Sequence, residues 1–432
     1  MNEPKIFFGL SGFFPEHTAG TETYVLNLAK ELRKLNYRVS VVIPAPGKKS
    51  ENYKYDEIDV FSFSVPLKVT TGELNGFGDV SGIEEFSKIL DTVKPDIFHL
   101  HSFSRSLHAA HIKKAKEKGI HTAFTAHLGG TFCINGDLQL FGNRICDGKA
   151  DKNRCLACFI KKNKKITAFP AKSIALFINF LLDTQLKFRF PAFNIAKNKT
   201  EQLKILNQFS DRNIAIAPWL EKVFKINNIQ NVFLVNQGID SDFIKLSEMK
   251  SKLNPEKINL IFIGRMHPDK GIHLLIEALK SFKKQFELTL VTIPFQDELN
   301  YLEKTKSSYF DLGFDNWFEN LPQTEVAEKL KNADLLVLPS TKNEAAPLVI
   351  LEAFAQKIPV LASDYIAMKD MIKQNFNGLI FKNNDVDSLK EQLQKLINNP
   401  NILVDLSKNI TTPRTFMEVA FEMSEIYNTM FT

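Results

Sequence analysis

The chain has 432 residues, more than one hydrophobic core organises, so two domains are expected. Apolar residues make up 44% and charged residues 24%, which excludes a disordered chain, and no run reaches the ~18–20 uncharged apolar residues of a membrane span. The net charge of +6 is unevenly placed: residues 149–212 carry 14 Lys/Arg against 4 Asp/Glu, a local +10 that leaves −4 for the rest.

Met1-Asn-Glu-Pro-Lys5 leads directly into a strand, with no basic region or small-residue cleavage site. A cytoplasmic location is therefore expected, and disulfides are not. Residues 5–10 read as the first strand, followed by a loop over 11–21. Glu22 then opens an amphipathic helix with Val25, Leu28, Ala29 and Leu32 on one face. Further strands are expected at 38–43, 95–101 and 121–126, with helices at 83–93 and 107–118, the second ended by Gly119. His127 stands at the carboxyl end of the 121–126 strand.

The alternation then breaks. Cys133, Cys146, Cys155 and Cys158 are the only cysteines, and they fall in one loop over 129–160 rich in Gly, Asp and Asn. Four thiolates there, two of them in Cys155-Leu-Ala-Cys158, suit a structural Zn²⁺ with no open catalytic position. Four free thiols or two redox pairs are the alternatives. The segment 161–195 follows, with Lys161, Lys162, Lys164 and Lys165 before a stretch that is apolar at 174, 177, 178, 181 and 182. An apolar face with basic flanks suits peripheral contact with an anionic membrane. A core helix with solvated flanking lysines is the more ordinary reading and stands slightly ahead. Strands resume at 213–217 and 231–235.

Residues 241–255 read as a linker into a second alternating series. Its strands are expected at 260–263, 288–292, 317–319, 335–338, 359–362 and 378–381, with terminal helices at 388–398 and 414–430. Strand–helix alternation of this kind implies parallel sheets covered on both faces. Ligands then bind outside the carboxyl ends of the strands. At two such ends stand charged pairs: Arg265 and Lys270 after one strand, Glu344 and Glu352 after another. The bases suit a diphosphate, helped by helix N-termini, and the acids suit sugar and ribose hydroxyls. A helix starting near Ala346, with Pro347 in its first turn, would place Glu352 about 8 Å along the axis. Either glutamate alone is more ordinarily a solvated acid; the joint pattern with Arg265 and Lys270 favours a site.

These residues resemble the retaining GT-B glycosyltransferases that carry an E-x7-E motif. Gly9 to Glu22 is similar to the family's phosphate-contacting loop, with Ala19-Gly20-Thr21-Glu22 in place of Gly-Gly-x-Glu. Asn236-Gln237-Gly238-Ile239-Asp240 resembles its hinge segment, and Glu344–Glu352, Pro359-Val360 and Asn377-Gly378-Leu379 resemble its C-terminal signature. The resemblance implies an α/β fold of two Rossmann-like, doubly wound domains facing a cleft, with the Cys-rich loop inserted in the first. The N-terminal, acceptor-side domain would span 1–240, the donor domain 241–412 and a terminal helix 413–432. By resemblance, Arg265 and Lys270 hold the donor diphosphate and stabilise the leaving group. Glu344 sits beside the transferred sugar with the amides of Ala345 and Ala346. Leu348 adds a donor contact, Glu352 accepts from ribose, Gly20 lets backbone approach phosphate, and His127 lines the sugar site. The implied reaction moves a sugar from a nucleotide-sugar donor to a hydroxyl of a saccharide or lipid-linked acceptor in surface-polysaccharide synthesis. No catalytic metal is implied.

Three rivals stand beside this. A nucleotide-sugar epimerase or a phosphorylase would share the fold, although no pyridoxal-phosphate lysine context is evident. A non-catalytic scaffold would be expected to lose one of the charged residues, and none is lost. A zinc-bearing nucleic-acid binder lacks a binding module, and its basic segment is apolar rather than arranged for base stacking, so nucleic acid is not an expected partner.

Overall fold

Strands that are apolar on both faces have one stable setting, a parallel sheet covered by helices above and below. The protein, seen in a computed structural model, contains two such sheets. The structure describes residues 3–69, 73, 80–127, 129–142, 144–164, 167–183, 191–245, 257–282, 284–294 and 298–431. Met1–Asn236 with Met417–Thr432 form one unit, and Gln237–Phe416 form the other.

The first unit begins β1 (Lys5–Gly9), α1 (Gly20–Lys34), β2 (Arg38–Pro46), β3 (Tyr53–Tyr55), β4 (Ile58–Val65), α2 (Ile83–Val93), β5 (Ile97–His101), α3 (Ala109–Glu117), β6 (His121–Ala126). It continues β7 (Gln139–Leu140), β8 (Arg144–Ile145), α4 (Lys152–Lys164), α5 (Ala168–Asp183), α6 (Pro191–Phe209), β9 (Arg212–Ala215), α7 (Pro218–Ile226), β10 (Val232–Leu234). The eight-stranded sheet has the order β10-β9-β6-β5-β1-β2-β4-β3, parallel except for β3 against β4. From β1 the chain builds outward through β2 and β4, then returns to build the other side from β5. The strand order therefore reverses between β1 and β5, where a ligand crevice is expected. β1 is buried from Ile6 to Gly9, and β5 throughout.

The second unit runs α8 (Ser241–Lys245), β11 (Ile258–Arg265), α9 (Ile272–Leu279), β12 (Phe286–Ile293), α10 (Leu299–Asp311), β13 (Asn316–Glu319), α11 (Gln323–Lys331), β14 (Leu335–Leu338). It ends α12 (Leu348–Ala355), β15 (Val360–Ser363), α13 (Ile366–Met371), β16 (Gly378–Phe381), α14 (Val386–Asn398), α15 (Asn401–Lys408), and the last helix, α16 (Phe416–Asn428), follows. Its six strands are all parallel, in the order β13-β12-β11-β14-β15-β16, and here the reversal lies between β11 and β14. Leu260, Phe262, Leu288, Leu290, Leu335 and Val337 supply the strand side of the core.

The expected α/β class with two Rossmann-like units is what forms. Several details differ from the sequence reading. The edge strand β3 and its neighbour β4 have no counterpart in it, nor does the 19-residue helix α6. The expected linker opens with the short helix α8, and the rest of it lies outside the described residues. Pro347 is the cap of α12 rather than a member of its first turn. In helix α5, Ile174 and Phe177 of the expected apolar stripe are exposed and Ala171 and Ala175 face the core, while the side chains at 178, 181 and 182 lie outside the described residues.

Where the chain enters and leaves the second unit, Ile239 N–H donates to the Arg414 carbonyl and Phe416 N–H to the Ile239 carbonyl, both at 3.0 Å. A side chain at Gly238 would meet the Thr415 carbonyl oxygen at 2.6 Å, so only glycine permits this close pairing. Helix α16 then belongs to the first unit, where Tyr427 hydroxyl bonds His99 Nδ1 at 2.6 Å.

Candidate active site

The second sheet brings three of the four charged residues to its reversal point. β11 ends in Arg265, and a 3-10 turn over Pro268–Lys270 leads into α9. His267 starts that turn by accepting Asp269 N–H on Nδ1 at 3.0 Å. Gly271 closes it with φ +70°, where a Cβ would lie 1.8 Å from the Pro339 carbonyl oxygen. Glycine is therefore what lets the loop after β11 touch the loop after β14. Thr341 N–H donates to the Asp269 carbonyl at 2.8 Å, and Lys342 pairs with Asp269 at 2.8 Å, so the two loops are locked together.

In this setting Lys270 Nζ sits 2.7 Å from Glu344 Oε2, and Ser340 Oγ donates to Glu344 Oε1 at 2.5 Å. Ser340 is held in turn, because Ser363 Oγ donates to its carbonyl at 2.8 Å. Burial pushes the Glu344 carboxyl up, but Lys270, the Ser340 hydroxyl and the charge of Arg265 outweigh it and hold the group below its usual range. Glu344 is thus an ionised acceptor with about a fifth of its side chain open to solvent (21%). Arg265 is exposed at the end of β11.

Glu352 behaves oppositely. It is the fifth residue of α12, about 6 Å along the axis from Leu348, a shorter reach than the expected 8 Å because the helix starts later. Burial pushes its carboxyl up to about 7, and no charge or hydrogen bond offsets this. Two acids eight residues apart therefore hold their protons differently. The first turn of α12 has no side-chain cap, so its amides face out from Leu348 with the partial positive charge of a helix N-terminus. Ala345 and Ala346 form the loop just before it.

Gly20 and His127 belong to the first unit, at the carboxyl ends of β1 and β6. Gly20 is the first residue of α1, with an ordinary φ and nothing within 4 Å of a Cβ placed there. Ala19 has φ −112°, so alanine carries no backbone cost where the family pattern has glycine. His127 is 4% exposed; its N–H donates to Ser102 Oγ at 2.8 Å, and its ring contacts Tyr24 of α1 at 4.7 Å. Its Nε2 lies 2.9 Å from His101 Nδ1. Burial lowers the His127 pKa to about 3, so the ring is neutral. Among the described residues His101 Nε2 is buried without a partner. A buried unpaired N–H costs more than a bare ring nitrogen, which places the His101 proton on Nδ1 and the His127 proton on its own Nδ1. Beside the reversal point of this sheet, Ser11, Pro44, Lys68, Ser104, Arg105 and Ser106 help line a pocket of about 450 Å³.

The cysteines gather without forming a ligand set. Cys133, Cys146, Cys155 and Cys158 line one pocket of about 20 Å³, and Cys158 Sγ accepts Phe141 N–H at 3.1 Å. All four are free, and among the described residues no group of three or more His, Cys, Asp or Glu is arranged to hold a metal ion. The zinc expected there gains no support from this geometry.

Sequence reasoning missed Ser340 and the His101 contact. Ser340 carried no motif signal, but its place at the end of a buried strand, four residues before Glu344, is one that a strand-end rule picks out. His101 ends β5 beside β6, which a register argument would have paired with the His127 strand.

Comparison with known proteins places this geometry. Residues 244–412 match the profile of the family described as glycosyl transferases group 1, and residues 18–145 that of glycosyltransferase family 4. An uncharacterized glycosyltransferase of Methanocaldococcus jannaschii is 25% identical over 201 residues, 46% of this chain and 53% of that protein. The alignment thus spans about half the length of that relative. The alpha-monoglucosyldiacylglycerol synthase of Acholeplasma laidlawii is 24% identical over 404 residues, 90% of this chain and 88% of that protein. Among solved structures, Anabaena HepE in complex with UDP and glucose superposes with a TM-score of 0.64 at 14% identity, covering 99% of this chain and 100% of that one. With charged residues of both signs at the reversal point of the second sheet and this fold beneath them, the chain belongs to the group 1 glycosyltransferases of the GT-B fold.

Proposed function

We propose that the protein transfers a sugar, with retention at the anomeric carbon, from a nucleotide-sugar donor to a hydroxyl of a saccharide or lipid-linked acceptor. The observation that carries this is the convergence of Arg265, Lys270 and Glu344 at the reversal point of the second sheet. Arg265 and Lys270 receive the diphosphate, and their charge offsets the negative charge that grows on the leaving nucleoside diphosphate. Glu344, already ionised, accepts from hydroxyls of the transferred sugar, while Ala345, Ala346 and Leu348 offer backbone at the mouth of α12. Glu352 accepts from the ribose, and Gly20 leaves room for phosphate at the start of α1. His127, neutral and with its proton on Nδ1, donates to a sugar hydroxyl.

The donor class is supported by the uridine nucleotide held by the Anabaena neighbour, and the acceptor class by relatives named for glycolipid and polysaccharide synthesis. The pocket beside Ser11 and Arg105 is the acceptor side in this reading. The test is turnover of a panel of UDP-, GDP- and ADP-sugars with glycan and diacylglycerol acceptors, with the product's anomeric configuration read by NMR. Retention of configuration supports the reading. Inversion, or hydrolysis and epimerisation with no transfer to any acceptor, contradicts it.

A further inference from the structure

Helix α5 turns several large apolar residues outward. Its 16 residues pack on α4 through Ala171 and Ala175, which are fully buried against Leu156, Ala157 and Ile160. Three bulky residues lie on the opposite face: Phe169 is 81% exposed, Phe177 62% and Leu176 59%. Positions 169, 176 and 177 share one side of a helix, since seven and eight residues are close to two full turns. Over its described side chains, the helix meets the core with alanines and turns Phe169, Leu176 and Phe177 into water. Large contiguous apolar patches on soluble proteins mark sites of interaction.

The surrounding charge narrows the partner. Lys172 is exposed at the edge of this face, while Lys161 and Lys162, at the end of α4, are engaged by the Phe141 carbonyl and by Asp137. The sequence from 161 to 183 holds five lysines and a single acid, Asp183. No described helix is long and apolar enough to cross a membrane, and α5, about 24 Å long, is shorter than a span. An exposed apolar stripe on a basic segment matches a helix lying in the plane of a bilayer, its rings among the acyl chains and Lys172 at the phosphates.

We propose that α5 is a docking surface for a bilayer bearing anionic headgroups, with Phe169, Leu176 and Phe177 entering the acyl boundary and Lys172 facing the headgroups. The assignment stands on the exposure and charge of this helix and is independent of the transferase reading, because it is tested by binding alone. If both hold, the acceptor reaches the enzyme at a membrane surface.

The test is co-sedimentation of the full chain with vesicles of phosphatidylcholine alone and of phosphatidylcholine mixed with phosphatidylglycerol, at low and high salt. The expected result is binding to the mixed vesicles that weakens with salt. It falls about tenfold or more in the triple variant Phe169→Gln, Leu176→Gln, Phe177→Gln, and less in Lys172→Glu. All four positions are exposed, so circular dichroism of the variants should match the parent. Failure of the parent to bind mixed vesicles, equal binding to both vesicle types, or unchanged binding of the triple variant would overturn the proposal. So would a lipid-free dimer in sedimentation velocity that the triple variant abolishes, since a second copy of the chain would then be what covers the face.

Discussion

Lys270 and Glu344 are 74 residues apart in the chain, yet their charged atoms meet at 2.7 Å where the order of the second sheet reverses. Each side chain is more than three-quarters buried. The pair gives the site an ionised carboxylate and an ammonium before any ligand arrives. Preorganisation of this kind lowers the cost of ordering charged groups when substrate binds.

Removing one partner tests that arrangement. Lys270→Ala leaves Glu344 buried beside only Ser340 and the more distant Arg265, and it should cost about 1–3 kcal/mol of stability in urea unfolding at neutral pH. Ser340→Ala removes one hydrogen bond to a charged group and should cost about 1–2 kcal/mol. The two losses should not add, because both residues act on the same carboxylate. A double variant showing a simple sum would indicate that they act separately.

Glu352 should make the second unit less stable as pH rises. Its carboxyl, pushed up to about 7 when folded, holds a proton that the unfolded chain releases near its ordinary value. Between those values the folded state binds more protons, so this group's contribution falls as pH increases and levels off above about 7. Glu352→Gln should therefore match the parent near pH 4 and be the more stable protein at pH 8. The check is the difference in urea midpoint across that range; a difference that is flat or of opposite sign would show that Glu352 is not desolvated.

The histidines of the first unit work the other way. Burial lowers the folded pKa of both His99 and His127 to about 3, well below the unfolded value near 6.5. The unfolded chain then binds more protons between those values, so stability from these groups is complete above pH 6.5 and is lost as pH falls toward 3. His99→Gln should flatten the acid side of the stability curve, at the cost of the bonds to Tyr427 and Thr125. The measurement is urea unfolding followed from pH 4 to 7, and an unchanged slope in the variant contradicts the account.

Two glycines separate folding from binding. Gly271→Ala forces a Cβ into the Pro339 carbonyl at a left-handed backbone position and should cost roughly 2–4 kcal/mol. Gly20→Ala meets nothing within 4 Å and should leave thermal stability unchanged within about 0.5 kcal/mol, while weakening nucleotide-sugar affinity if backbone at α1 approaches phosphate. Thermal unfolding and titration calorimetry of both variants distinguish the two effects.

The arrangement of sheets was legible because parallel strands read as unbroken apolar runs, as at Leu335–Leu338, and because the helices between them are amphipathic. Arg265, Lys270 and Glu344 were legible for the same reason: a strand end followed by a helix start is where charged ligands bind, so charge there has meaning. Ser340 was not, since a loop serine has no period to betray what it touches. Helix α5 shows a second limit. Periodicity separates two faces of a helix, but it does not say that Ile174 and Phe177 stay outside while Ala171 and Ala175 fit against the helix beneath. The strand β4, next to the edge, carries Asp59 and Ser64 among its apolar residues, so it lacks the continuous run that marked the central strands.

The most direct measurement is titration calorimetry of UDP, GDP and ADP into the parent and into Arg265→Ala and Lys270→Ala, each confirmed folded by its thermal transition. One nucleotide should bind the parent, and each substitution should weaken it by about ten- to a hundredfold, the worth of one charge-assisted contact to phosphate. If a nucleotide binds both variants as tightly as the parent, the donor diphosphate lies elsewhere and the site described at the end of β11 is not the one that works.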